Sequence, residues 1–319
     1  MTVRKKNVNY FPNNSMVVKF TNKYICLCLV LLSIHFLCNL KCSATHIMGG
    51  QITYKYIGNY QYRITLKGYR DCNGVLWHLG SPISIAPTGD YFDLDSIGRY
   101  DITPLCTGQV SACDSVGMPY GVHEYVEEKT ITLFPPYPIG GYRLSLFDGN
   151  RNCSITTLEE PCHNTFYIST ILDPLVSPKN SSPQFLNPPA IYVCVGQTFH
   201  YNNGAYDLDG DSLAYSLVPC LQEYDSSVTY KIPFSETNPL TSNPPLTLDP
   251  ISGELQFTPT VVNEISVVAI RVEEFRNGIK IGEVVRDIQI TVLPCNNELP
   301  VINTVPSVKK IIVYPGIQT

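Results

Sequence analysis

Three aspartates in five residues are the densest chemistry in this 319-residue chain. In AYDLDGDSLAYSLVP (205–219), Asp207, Asp209 and Asp211 offer only oxygen ligands. Oxygen donors without His or Cys select a hard cation such as Ca2+ over zinc. Three close carboxylates repel one another unless they are solvated or bridged by a cation. An EF-hand needs ligands at positions 1, 3 and 5, Gly at 6 and Glu at 12. Counted from Asp207, Gly210 falls too early and Val218 takes the final position, so this is no EF-hand. Asp and Gly also build tight turns. Two readings stay open: a calcium site, and a solvated turn between strands.

The same stretch contains Gly210-Asp211-Ser212-Leu213, which resembles the serine motif of a lipase and esterase family. A serine hydroxyl is a weak nucleophile without a positioned base. That family places its histidine after the serine, whereas His35, His46, His78, His123, His163 and His200 all precede Ser212. His123-Glu124-Tyr125-Val126-Glu127 starts like a zinc-protease helix motif, but Glu127 replaces the second histidine. Glu273 and Glu274 are adjacent on an expected strand and point to opposite faces, which favours solvent-facing charge, or one ligand, over an acid/base pair. G-x-S-x-G and phosphate-cradling loops are missing. A non-enzyme is expected.

The elements that would position these residues read as strands. Charged residues make up 15% of the chain against a usual value of about 25%, while Tyr (21), Pro (25) and Gly (21) abound. That composition suits strands and turns, and a net charge of −5 argues against nucleic acid as a partner. From Gln51 onward, alternating runs such as QITYKYI, YQYRITLKGY and YRLSLFD lie between loops rich in Gly, Pro and Asn. A two-residue turn at Gly58-Asn59 would put Tyr54 and Tyr56 on one face and Tyr60 and Tyr62 on the other. Arg276-Asn277-Gly278-Ile279 predicts a type I′ hairpin.

The expected organisation starts with a signal peptide over 1–44, with residues 1–15 read as a misassigned start. Its apolar run ICLCLVLLSIHFL is followed by Cys42-Ser43-Ala44, and no transmembrane anchor is expected in the mature chain. A cysteine-rich β domain follows over 45–175, then a Pro/Ser/Asn linker over 176–182 and a β-sandwich over 183–295. Residues 296–319 read as linker or the start of a further domain. After cleavage eight cysteines remain, which in an exported chain implies disulfides. Cys106–Cys113 and Cys153–Cys162 are the short-loop expectations.

DLDGDSLAYSLVP, LDPISGELQFTPT (248–260) and the closing ITVLP resemble cadherin-like and immunoglobulin-like repeat domains over 183–294. THIMGGQITYKYIGNYQYRITLKGYRDCNG, with SSPQFLNPPAIYVCVGQ, resembles secreted Bacteroidetes surface proteins of the gliding-motility-associated type. The resemblance implies an all-β protein of tandem β-sandwiches, exported to the cell surface. It also implies an adhesive or structural role, with Ca2+ at Asp207, Asp209 and Asp211. Glu273 or Glu274 would add an acidic ligand, although Arg271 and Arg276 lie nearby. The expected partner is a cell-surface or matrix protein or a polysaccharide. The alternative is a carbohydrate-binding or substrate-presenting module of a larger exported enzyme, using tyrosines of the first hairpin.

Overall fold

The structure is a computed structural model and describes residues 47–105, 109–115, 117–189 and 191–295. The expected signal peptide, the tail 296–319 and Cys106 lie outside the described residues. All described residues belong to one compact unit, Ala44–Thr319.

The unit is almost entirely β. Its first half contains β1 (Ile47–Gly58), β2 (Gln61–Asp71), β3 (Pro82–Ala86), β4 (Asp90–Asp93), β5 (Asp95–Asp101), β6 (Val122–Thr132), β7 (Tyr142–Asn150) and β8 (Thr165–Leu172). Next come β9 (Gln184–Phe185), β10 (Tyr192–Cys194), β11 (Phe199–Asn202), β12 (Ala205–Tyr206), β13 (Ser212–Val218), β14 (Leu221–Glu223) and β15 (Ser226–Ser227). The last four are β16 (Thr247–Leu248), β17 (Glu254–Phe257), β18 (Ile265–Arg276) and β19 (Ile279–Leu293). The one helical element among the described residues is a single 3-10 turn, Pro161–His163.

The main sheet runs β4-β3-β7-β8-β19-β1-β2-β6-β5, with β18 and β13 extending from β19. β19 is its shared member. One edge pairs with β18 over most of its length. The other edge meets β8 at Gly282–Val284, β1 at Arg286–Ile288 and β10 at Thr291–Leu293. Strands of both expected segments therefore belong to one sheet. β18 and β19 are buried along most of their length, and the burial takes in Glu274, Arg286, Asp287 and Gln289 as well as their apolar residues. β1 approaches β19 so closely that a Cβ on Gly49 (φ +141°) would lie 2.2 Å from the Asp287 carbonyl oxygen.

Apolar residues form two main cores. In the first, Ile52, Tyr54, Ile64 and Leu66 from one half of the sheet pack with Leu144, Leu146, Phe166 and Ile168 from the other. That face-to-face arrangement is sandwich-like. The second gathers Tyr215, Leu240, Phe257, Val268, Ile270, Ile288 and Ile290. Two apolar centres explain why the sequence reads as two segments.

Three details differ from expectation. The first hairpin turns at Asn59-Tyr60, both with positive φ (52° and 62°), and Tyr56 pairs with Tyr62. The turn alone would leave the faces as expected; a bulge between Tyr56 and Gly58 shifts the register by one residue and puts Tyr54, Tyr56 and Tyr62 on the same face. Tyr54 and Tyr62 are core residues with ring centroids 6.2 Å apart.

Segment 176–182, expected as an exposed linker, is buried at Ser177, Asn180, Ser181 and Ser182. β19 stops pairing with β1 at Gln51, and this strap continues along the bared edge. Ser182 Oγ accepts the Tyr54 N–H (2.8 Å), Ser181 Oγ accepts the Tyr56 N–H (3.3 Å), and the Tyr62 hydroxyl donates to the Pro178 carbonyl (2.7 Å). Its polar composition serves the sheet rather than solvent.

The disulfides are Cys72–Cys113, Cys153–Cys162 and Cys194–Cys295. Cys153–Cys162 is the expected short loop. Cys113 takes Cys72 instead of Cys106, because the Cys72 N–H bonds the Gly121 carbonyl and holds the end of β2 against the Cys113 loop. The Asn277-Gly278 turn has positive φ at both residues, as the sequence predicts.

Candidate functional site

The loop between β12 and β13 is folded by its own first aspartate. Asp207 Oδ1 accepts the backbone N–H groups of Asp209 (2.8 Å) and Asp211 (2.9 Å), and Gly210 takes φ +85° to close the turn. One carboxylate oxygen from each of Asp207, Asp209 and Asp211 comes within 4.8 Å of the others. The structure thus brings the three predicted residues together.

The surroundings give each a different role. Asp209 Oδ2 accepts the Ser181 N–H at 2.7 Å, tying the loop to the strap. Asp211 is gripped by Arg276, whose Nε donates to Oδ1 at 2.7 Å and whose Nη2 donates to Oδ2. Arg276 also donates to Ser177 Oγ (2.9 Å) and Asn180 Oδ1 (3.1 Å). Asp207 Oδ2, in contrast, is buried and has no hydrogen-bond partner.

A fourth carboxylate joins the cluster from β18. Antiparallel pairing sets Leu213 opposite Glu274 and Ser212 opposite Phe275, which brings Glu274 to the loop. Its side chain is fully buried. Oε2 accepts the Asn180 Nδ2–H at 2.7 Å, while Oε1 has no partner. Gly282 leaves room for it, since a Cβ there would come within 2.8 Å of Oε2. Burial drives the Glu274 carboxyl up to about 9; the Asn180 amide opposes the rise, and the touching Asp207 carboxylate adds to it.

Two buried orphan acceptors, Asp207 Oδ2 and Glu274 Oε1, sit among carboxylates whose one ion-pair partner among the described residues is Arg276. Buried oxygens in such a setting require a partner. In the metal-free protein a proton shared between them partners both; a hard divalent cation in its place would do the same. The donor set is all oxygen, so the residues fit Ca2+. The sequence pointed to the aspartates but left Glu273 and Glu274 undivided, and Asn180 lay in the supposed linker. Glu273 instead bonds Lys280 at 2.6 Å.

The other chemical candidates lie apart. Ser212 is exposed at the start of β13, while His200 bonds Glu254 at 2.9 Å and His163 faces Glu160 at 3.6 Å. Cys72, Cys113 and His123 also come together, but the disulfide removes both sulfurs as thiolate ligands. Glu127 anchors a loop: its carboxylate accepts Trp77 Nε1–H (2.7 Å) and the N–H groups of Gly80 (2.9 Å) and Ser81 (3.0 Å). Of the hairpin tyrosines, Tyr60 is exposed and packs on exposed Phe134, centroids 5.6 Å apart.

No protein-family model matches this chain, and no curated protein matches it significantly in sequence. Three disulfides point to an oxidising compartment. No described helix is long and apolar enough to cross a membrane.

Proposed function

We propose a non-enzymatic, exported cell-surface adhesion or structural protein in which a calcium site stiffens the β framework. In this reading the second core, over 183–295, is a cadherin- and immunoglobulin-like module. The observation that carries it is the pair of buried, unpartnered carboxylate oxygens on Asp207 and Glu274. The disulfides support the extracellular assignment, and the residues quoted for the family resemblance support the module type.

Asp207, Asp209, Asp211 and Glu274 would hold the cation. Bound calcium supplies positive charge to the orphan oxygens and cross-links the elements that carry them. The chain does the rest. Asp207 Oδ1 shapes the loop, Arg276 fixes Asp211, and Asn180 fixes Glu274 while the strap covers β1. A cation held only by the folded form stabilises it by mass action.

The test is thermal melting of the purified mature protein in chelator and in millimolar Ca2+. The midpoint rises with calcium, and Asp207→Asn and Glu274→Gln each remove most of the rise. An unchanged midpoint in the parent protein overturns the reading.

The exposed Tyr60–Phe134 pair favours a second reading, a carbohydrate-binding module with a stacking platform. Glycan-array binding lost in Tyr60→Ala, with an unchanged melting midpoint, would establish it. Tyr54 and Tyr62 are excluded from such a platform by their burial.

A further inference from the structure

Arg286 is an arginine buried without a counter-ion. Its side chain lies within β19 at 1% exposure, and no described carboxylate forms an ion pair with it. The adjacent Asp287 is occupied by Arg151. Neutral groups hold the guanidinium: Nη1 donates to Tyr201 Oη (3.2 Å) and Asn203 Oδ1 (3.1 Å), Nη2 to Tyr69 Oη (3.2 Å) and the Asn187 carbonyl (2.9 Å). The rings of Phe185 and Tyr69 lie 4.7 and 5.9 Å from its central carbon. These contacts orient the cation and partly offset its burial. They leave its charge uncancelled and its Nε–H without a partner. A buried charge is ordinarily paired.

The missing partner has a place. Arg286 lines a cavity of about 240 Å³ with Lys67, Glu124, Gln51 and Tyr69, and its rim is the exposed segment Leu186, Asn187 and Pro188. Lys67 Nζ lies 3.3 Å from Glu124, so these two cancel. One positive charge remains, that of Arg286. A dianion would overshoot it and face Glu124. A single carboxylate matches it, with Lys67 at the half-open side as a second donor. Ile102, Phe185, Leu186 and Pro188 give the walls an apolar surface for a carbon skeleton.

We propose that this cavity binds a small molecule presenting one carboxylate, with Arg286 as the buried counter-charge and Lys67 as the outer contact. The cavity shares no residue with the acidic cluster, and the proposal stands independently of calcium.

The buried Arg286 Nε–H is itself the reporter. Its side-chain resonance in a 15N-labelled protein, assigned by its loss in Arg286→Lys, is followed during titration with sodium glucuronate, sodium acetate, glucose and sodium chloride. The expected result is a saturable shift with glucuronate and none with glucose. A matching shift with acetate locates recognition in the carboxylate alone; a shift restricted to glucuronate adds the apolar walls. Lys67→Met, which replaces a partly exposed side chain, removes one charge-assisted hydrogen bond and also leaves Glu124 uncompensated, so the binding weakens at least about tenfold. A resonance unmoved by both acids overturns the proposal. So does an equal shift with chloride, or glucuronate binding that Lys67→Met leaves unchanged.

Discussion

Arg151 and Asp287 meet side by side in the interior, Nη1 to Oδ1 at 3.1 Å and Nη2 to Oδ2 at 2.6 Å, each side chain only 2% exposed. Arg151 follows β7 and Asp287 lies on β19, so the pair ties the middle of the described chain to its last described strand. Arg151 also donates to the Leu221 carbonyl at 3.0 Å and lies 5.2 Å from the Phe166 ring centroid. Removing one partner strands a buried charge, which costs about 3–5 kcal/mol. Urea denaturation of Asp287→Asn and Arg151→Met is expected to show losses of that size. The double variant should recover much of the loss, whereas losses that simply add would show that the pair acts as two independent groups.

Glu274 makes the metal-free protein sensitive to alkali. Its folded carboxyl titrates at about 9, against an ordinary 4.5. Between these values the folded state holds a proton that the unfolded state has released. Stability in chelator therefore falls as pH rises from 4.5 towards 9, and the contribution is fully present below the lower value. Glu274→Gln flattens the profile. Under the calcium reading, cation binding in this window releases a proton, which calorimetry in two buffers of different ionisation enthalpy detects. A flat parent profile would contradict the assignment.

Glu127 is expected to control the loop that carries the only tryptophan of the chain. Trp77 lies over Gly68, where a Cβ would come within 2.2 Å of the indole, and stacks on Tyr125 with centroids 5.8 Å apart. Glu127→Ala leaves buried N–H groups of Trp77, Gly80 and Ser81 without an acceptor, a loss of about 3 kcal/mol. Trp77 emission should shift to the red as the loop loosens. Glu127→Gln retains one acceptor and should show a smaller change in both readouts.

Cys220 is free and fully buried beside the Tyr230 hydroxyl and the Arg151–Asp287 pair. Burial and the Asp287 carboxylate push its thiol well up, while Arg151 opposes them. Alkylation should therefore leave Cys220 unmodified in the native protein and proceed once denaturant unfolds it. Peptide mapping without reduction should recover Cys72 joined to Cys113. Native labelling of Cys220 as fast as in urea would refute its placement.

What the sequence disclosed depended on distance along the chain. Period-two patterning revealed the strands, and Asn277-Gly278 identified its turn, because both signals are local. The first hairpin misled because Asn59-Tyr60 adopts two positive φ angles without glycine, and because a bulge between Tyr56 and Gly58, which no local signal marks, exchanges the faces. The aspartate loop was visible because its ligand types are adjacent. Glu274 was not, because only its register against β13 separates it from Glu273. The strap was misread for a related reason: Ser and Asn are equally at home in solvent and beside an unpaired strand edge. Nothing local shows that β1 has such an edge.

The position of β19 also governs how this molecule can be made. β1 and β8, both complete by Leu172, each wait for a partner strand that ends at residue 293. Until then a nascent chain carries two bare β edges, the form most prone to pair with a neighbour. Closing contacts across more than two hundred residues makes folding slow in proportion to that separation. A protein cut at residue 175 would keep those edges permanently and should aggregate; both edges are covered only once β19 is made.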